Sequence, residues 1–355
     1  MIDLMELDIN IPSTSFDNYT TMLSAPPKFG KSEFCTKFAK PLIFDFEEGT
    51  KGKVTYRVPI SKWTETKQYI KQLTSNLELK NKYNTICFDT ANYALNAIKQ
   101  YIVNKAQEEN PDKVIDTFNK VGYGNWEQLE NEIKNAVNSL KKAGYGVVLN
   151  VHIKEKIYNK DLENEYTKTV PDLSDKERNI LSSMADFLLL GKFETEIVKK
   201  AVKEDKKTIE KAETVTKRVL YLRTSEDTEA GFRWKNVPEK IDFDFDELNR
   251  VFLNAVIGEI DEGREKYNLD DSKVKDIREK LDKQKEIEEK KAFEEEKLSK
   301  TIEEIISTAK ELKRIDRDLI PEIIETIGYG GDATKIDELT EAELVLSNMK
   351  KINKK

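Results

Sequence analysis

The segment Leu23-Ser24-Ala25-Pro26-Pro27-Lys28-Phe29-Gly30-Lys31-Ser32 joins a short apolar run to a helical pattern, and it carries the sharpest chemistry in the chain. Glycine, lysine and a hydroxyl in succession at the start of a helix suit phosphate binding. The glycine permits close backbone approach, and the N–H groups that open a helix point at the anion. On this reading Lys31 reaches the β- and γ-phosphates of a nucleoside triphosphate, and Ser32 offers its hydroxyl to Mg²⁺. Ala25, Pro26, Pro27, Lys28, Phe29 and Gly30 form the cradle, and Glu33 follows in the first helical turn. Ala25 stands where the motif has glycine; its methyl is small, and the position closes the turn without touching phosphate. Pro26 and Pro27 stiffen the loop and remove two N–H donors.

Three further polar residues end apolar runs. Thr85-Ile86-Cys87-Phe88-Asp89-Thr90 ends in an aspartate suited to hold Mg²⁺ with Ser32. Leu42-Ile43-Phe44-Asp45-Phe46-Glu47 ends in acids, and Glu47 is a candidate base for orienting an attacking water; a solvated strand end would read the same way. Val147-Val148-Leu149-Asn150-Val151-His152 brings the chain's single histidine to a strand end, as a sensor of the γ-phosphate or as a structural residue.

These residues need a scaffold that gathers strand ends. Apolar runs of strand length recur at 21–24, 41–46, 85–89, 146–151, 187–190 and 218–223. Helical patterns lie between them at 31–40, 64–79, 92–109 and 126–143. The alternation predicts an α/β fold with a mostly parallel sheet, whose carboxyl strand ends line one crevice. Residues 1–258 form this core. Residues 259–300 are crowded with Glu and Lys and read as a charged helical linker without a sustained heptad seam, and 301–355 as a small all-α domain.

Charged residues make up 36% of the chain and hydrophobic ones 38%, with a net charge of −7. That balance argues against coating nucleic acid by charge alone. The two cysteines, Cys35 and Cys87, exclude a disulfide framework, and with one histidine no zinc site is expected. No membrane-length apolar run and no secretion signal are read, so a cytoplasmic protein is expected.

The four elements, in this order, resemble the RecA-like recombinase core. In that core a P-loop is followed by a strand ending Asp-x-Glu, a strand ending Asp-Ser or Asp-Thr, and a strand ending in a γ-phosphate sensor. Here Asp45-Phe46-Glu47, Asp89-Thr90 and Asn150-Val151-His152-Ile153-Lys154 take those places, with His152 where RecA has glutamine. Over roughly 18–255 the chain is similar to the phage family of P-loop proteins that includes the Sak-type single-strand annealing ATPases. The likeness extends through Gly122-Tyr123-Gly124, Met184-Ala185-Asp186, the run from Arg218 to Thr224, and Phe232-Arg233-Trp234.

The resemblance implies ATP with Mg²⁺, a catalytic Glu47, and annealing or strand exchange on single-stranded DNA. It implies a DNA-binding loop at 108–124, with Lys113, Lys120 and Tyr123, and another at 154–174, with Lys154, Lys156, Tyr158, Lys160, Tyr166 and Lys168. Lysines interleaved with aromatics suit single strands, although both loops also carry many acids, as a solvated loop would. A cation from a neighbouring copy, Arg223 or else Lys217 or Arg218, would complete the site of a ring or filament. The C-terminal piece loosely resembles phage modules that contact partners such as a single-stranded DNA-binding protein. A nucleotide-dependent assembly protein with little hydrolysis, or a helicase loader, are the alternatives.

Overall fold

The computed structural model describes residues 9–159, 165–204, 207–267, 271–315 and 320–352. The chain divides into two compact units, 1–268 and 269–355.

In chain order the first unit runs β1 (Thr20–Ser24), α1 (Lys31–Cys35), β2 (Pro41–Asp45), β3 (Tyr56–Pro59), α2 (Trp63–Ser75), α3 (Leu77–Lys82), β4 (Thr85–Asp89), α4 (Ala91–Glu109), α5 (Asn125–Lys142) and β5 (Gly146–Val151). It continues with β6 (Ile153–Tyr158), β7 (Tyr166–Pro171), α6 (Asp175–Met184), β8 (Phe187–Glu204), β9 (Lys207–Tyr221), β10 (Lys240–Asp242) and α7 (Phe245–Tyr267). The main sheet has the order β10-β9-β8-β1-β5-β4-β2-β3. From β8 to β3 every neighbouring pair is parallel; β9 and β10 add on antiparallel. The fold is therefore α/β with a mostly parallel sheet. Strands β1, β4 and β5 are buried along their whole length, which is why they read as unbroken apolar runs. Helices α2, α4 and α5 cover one face, where Trp63, Leu95, Ile98, Leu129 and Ile133 pack on Phe44, Phe88 and Leu149.

β5 lies between β1 and β4, although it is made last of the three. That crossover sets the ends of β1, β2, β4 and β5 side by side. Ser24 is in register with Val151, and Asp45 with Asp89. Loop, acids and histidine thus emerge on one edge.

Several elements differ from the sequence reading. The helix expected over 31–40 stops at Cys35. The N–H groups of Thr36, Lys37 and Phe38 bond three residues back, and Lys40 takes a positive φ of 41°. The Thr36 hydroxyl also claims the Glu33 carbonyl, competing with the helical ladder. The strands expected over 187–190 and 218–223 are ends of a long antiparallel ribbon, β8–β9, that pairs as far as Glu204 with Lys207. The loop expected over 154–174 is a second ribbon, β6–β7, closing on Tyr158 opposite Tyr166. Lys160, Asp161 and Glu163 lie outside the described residues.

The second unit is all-α: α8 (Asp271–Ile315), α9 (Ile320–Ile327) and α10 (Leu339–Ile352). Charged residues 271–300 and the apolar stretch after them share the single helix α8. Its last turns pack Ile305, Ala309 and Leu312 against Ile323, Ile327, Val345 and Met349.

Candidate functional site: a P-loop with converging polar residues

The loop leaves the sheet at Ser24 but remains tied to it, because the Ala25 N–H donates to the Val151 carbonyl at 3.0 Å. Lys28 and Gly30 take positive φ values of 60° and 114°, which curls the backbone. Gly30 is needed twice, since a Cβ there would lie 2.9 Å from Nη1 of Arg218 and 3.2 Å from the Phe243 ring. Phe29 is buried against Phe193 and Phe243 at ring distances of 5.2 and 4.4 Å, and its carbonyl accepts from Arg218 Nη1 at 3.0 Å. Pro26 and Ala25 contribute carbonyls, which accept from Lys31 Nζ at 3.0 and 2.8 Å. Pro27 and Lys28 are exposed on the loop's outer turn, and Glu33 pairs with Lys53 at 3.0 Å.

Ser32 and Asp89 meet directly. The hydroxyl donates to Asp89 Oδ2 at 2.6 Å, while Asn150 Nδ2 donates to Oδ1 at 2.9 Å. Burial raises the Asp89 pKa above the usual aspartate value; the bonds from Ser32 and Asn150 oppose this, and the charges of Glu47 and Asp45 add to it. A hydroxyl beside a carboxylate is a hard-oxygen pair that fits Mg²⁺. Gly49 lies over the pair, with a Cβ position 3.6 Å from Ser32 Oγ and 3.7 Å from Asp89 Oδ2.

Asp45 and Glu47 have separate duties. Asp45 is buried and binds its own loop, accepting from the Gly49 N–H at 3.0 Å, the Thr50 N–H at 3.2 Å and the Thr50 hydroxyl at 2.5 Å. That clasp aims Glu47 inward. Glu47 Oε1 accepts from the Thr90 hydroxyl at 2.5 Å and lies 3.0 Å from His152 Nε2. His152 Nδ1 lies 3.3 Å from Lys31 Nζ. A lysine ammonium only donates, so Nδ1 accepts, and the proton sits on Nε2 and points to Glu47. His152 therefore links the P-loop lysine to the candidate base. Burial depresses the Lys31 pKa, opposed by the nearby Asp89 and Glu47 charges.

The remaining expected residues do not join this cluster within one chain. Arg223 follows the end of β9 and is exposed, its N–H on the Glu239 carbonyl. Arg218 instead reaches the loop in the same chain. Lys113 and Tyr123 are exposed beyond α4, and Lys120 pairs with Asp116 at 2.8 Å. Lys154 and Lys156 lie on β6, paired with Asp172 at 3.1 Å and Asp175 at 2.8 Å. Tyr158 stacks on Tyr166 with ring centroids 5.3 Å apart.

Sequence reasoning missed the parts played by Asn150, Thr90 and Gly191. Gly191 on β8 faces the loop so closely that a Cβ would overlap the Phe29 ring and lie 3.0 Å from the Ala25 methyl. A glycine at the end of the apolar run Leu188-Leu189-Leu190 was its available signal.

A P-loop on the first strand, a carboxylate on the third core strand and a polar sensor on the strand between them define a P-loop NTPase. Residues 17–234, more than half of the chain, match the family described as AAA domain, and the chain belongs to that family. Membership implies nucleotide binding. The chain is also similar to the SPbeta prophage-derived uncharacterized protein YorG of Bacillus subtilis (strain 168), at 27% identity over 161 residues. That match covers 43% of this chain and 47% of the relative, about half its length. Among the described residues no helix is long and apolar enough to cross a membrane.

Proposed function

We propose that the protein is a phage-encoded, Mg²⁺-dependent ATPase of DNA recombination that holds single-stranded DNA and promotes its annealing or exchange. The observation that carries the ATPase part is the convergence of Lys31, Ser32, Asp89, Glu47 and His152 from four strand ends. Ser32 and Asp89 would hold Mg²⁺, which supplies charge neutralisation across the β- and γ-phosphates when bound. Lys31 moves from its own loop carbonyls to the phosphate oxygens. Its departure frees His152 Nδ1, which reaches a γ-phosphate oxygen as a donor once a ring proton sits on that nitrogen, and Glu47 orients the attacking water.

The DNA part is supported by the family resemblance and by continuity. Ribbon β6–β7 starts one residue after His152, and it carries Lys156 over the ring of Tyr158 at 5.2 Å. Lys154, Lys156 and Tyr158 on this ribbon, with Lys113, Lys120 and Tyr123 beyond α4, are the proposed strand contacts. A ring or filament, with Arg223 acting on a neighbouring copy, and a single-stranded DNA-binding protein on the second unit belong to the same reading.

The test is ATP hydrolysis by the wild type and by Glu47→Gln, each with and without single-stranded DNA. The expected result is DNA-stimulated turnover that Glu47→Gln lowers about 10²–10⁴-fold while ATP binding persists. A second reading, a nucleotide-dependent assembly protein or helicase loader, is favoured by the two groups that already engage one oxygen of Glu47. ATP bound without turnover in either DNA condition would replace the first reading with it.

A further inference from the structure

Between β2 and β3 the chain passes over the Ser32–Asp89 pair, and the turn at 46–50 is tied down at both ends. The Phe46 N–H donates to the Asp89 carbonyl at 2.8 Å, which fixes the start of the turn to the end of β4. The Gly49 N–H donates to Asp45 Oδ1 at 3.0 Å, and the Thr50 N–H and hydroxyl donate to Oδ2 at 3.2 and 2.5 Å. Arg57, on β3, adds an ion pair to Oδ2 at 3.5 Å. Asp45 is buried, so its charge depends on these partners, and they hold the turn in one position.

Gly49 is the point of the turn that faces the pair. A Cβ there would lie 3.6 Å from Ser32 Oγ and 3.7 Å from Asp89 Oδ2, and would meet no other atom within 4 Å beyond its chain neighbours. Both distances are ordinary van der Waals contact, so the protein itself has room for a methyl. Gly49 also lies outside the left-handed backbone region, unlike Gly30. Neither backbone conformation nor packing therefore calls for glycine. What a methyl would obstruct is a group held jointly by the Ser32 hydroxyl and the Asp89 carboxylate. Mg²⁺ demands near-octahedral geometry and gives up its waters reluctantly, so it keeps several of them when bound. Those waters need space beside the two oxygens, and a backbone without a side chain provides it.

We propose that Gly49 is a specificity-determining residue of the cation site: its lack of a side chain admits an ion that keeps its waters, and the Asp45 clasp stops the turn from giving way. This role rests on the Mg²⁺ reading above and adds to it the residue that sets how much of the ion's hydration the site accepts.

The test is calorimetric binding of ATP to the full chain, in EDTA and at saturating Mg²⁺, for the wild type, Gly49→Ala and Gly52→Ala. Gly52 lies in the same connection, and a Cβ there meets nothing within 4 Å, so its variant reports the loss of glycine flexibility alone. In the wild type Mg²⁺ tightens ATP binding. Gly49→Ala lowers that gain about tenfold, the lower end of the cost of disturbing groups that surround a metal's own ligands. Its affinity in EDTA is unchanged, and Gly52→Ala changes neither value. A full Mg²⁺ gain in Gly49→Ala, an equal loss in Gly52→Ala, or a loss in Gly49→Ala that is already present in EDTA overturns the role of Gly49 and leaves the P-loop reading standing. A wild type that binds no ATP in either condition overturns the P-loop reading, and one that binds ATP without any Mg²⁺ gain overturns the Ser32–Asp89 metal reading. In both cases the role of Gly49 falls with it.

Discussion

The two flanks of Lys31 are made differently. The inner flank is a polar network in which Ser32, Asp89, Asn150, Glu47, Thr90 and His152 bond mainly to one another. The outer flank is aromatic and steric: Phe29, Phe193, Phe243 and Gly191 pack the loop from behind, and Arg218 bonds its backbone. The inner groups come from the ends of four parallel strands. The outer ones come mostly from β8, β9 and the chain after β10, more than 150 residues after the loop. The contrast suggests a division of labour in which the inner flank sets chemistry and the outer flank sets the shape of the loop.

The largest effect should follow from Lys31→Ala. It removes the cation expected on the phosphates and should weaken ATP about 100-fold, the scale of ~2–3 kcal/mol for a charge-assisted contact. Equilibrium binding measures it, and wild-type affinity in the variant would remove the inner flank from nucleotide chemistry. Gly191→Ala strikes the other flank without touching a polar group. The new methyl meets the Phe29 ring and the Ala25 methyl. Overpacking of this kind costs about 1–3 kcal/mol. Thermal melting should show a lower Tm, with weaker ATP binding as the loop shifts. An unchanged Tm would mean that the outer flank does not shape the loop.

This difference also decides what could be read from sequence. Much of the inner flank was legible because Glu47, Asp89 and His152 each follow a buried apolar run, and buried parallel strands keep that pattern wherever they pair, whereas the bonds made by Asn150 and Thr90 depend on partners that no run encodes. Glu47, Asp89 and His152 could be nominated before their neighbours were known. The outer flank was not, because Phe29, Phe243 and Gly191 matter through contacts that no local spacing encodes. Ribbon β8–β9 was hidden for a related reason. Beyond Gly191 the sequence mixes many Lys and Glu residues with Phe, Thr, Ile and Val and holds no unbroken apolar run, so only Phe187–Leu190 and the run after Arg218 looked like strands. Ribbon β6–β7 is similarly charged and read as a loop. The charged helix α8 was legible from its lack of Gly and Pro between 272 and 300, but its continuation into the apolar stretch was not.

Arg218→Met sharpens the contrast further. It keeps much of the aliphatic bulk and removes the bond to the Phe29 carbonyl, worth about 1–2 kcal/mol in a partly buried setting. ATP affinity should fall by roughly tenfold. With enzyme saturated, turnover should change far less than in Glu47→Gln. Loss of turnover matching Glu47→Gln would place Arg218 in the chemistry and erase the distinction.

The smallest effect concerns the inner flank without nucleotide. Burial raises the Asp89 pKa above its unfolded value, so the folded state binds the proton more tightly than the unfolded chain does. By linkage the ionised carboxylate carries no penalty below the ordinary aspartate range. The penalty then builds as pH rises toward the raised folded value, and it is fully present at neutral pH. Asp89→Asn removes that charge while keeping an oxygen that can accept from Ser32. The variant should therefore melt a few degrees higher than the wild type near neutral pH, and the gap should close on acidification through the aspartate range. Stabilisation by Mg²⁺-ATP should disappear in the same variant. A lower Tm at neutral pH would show that the bonds from Ser32 and Asn150 outweigh the burial of the charge, so that the carboxylate also holds the inner flank together.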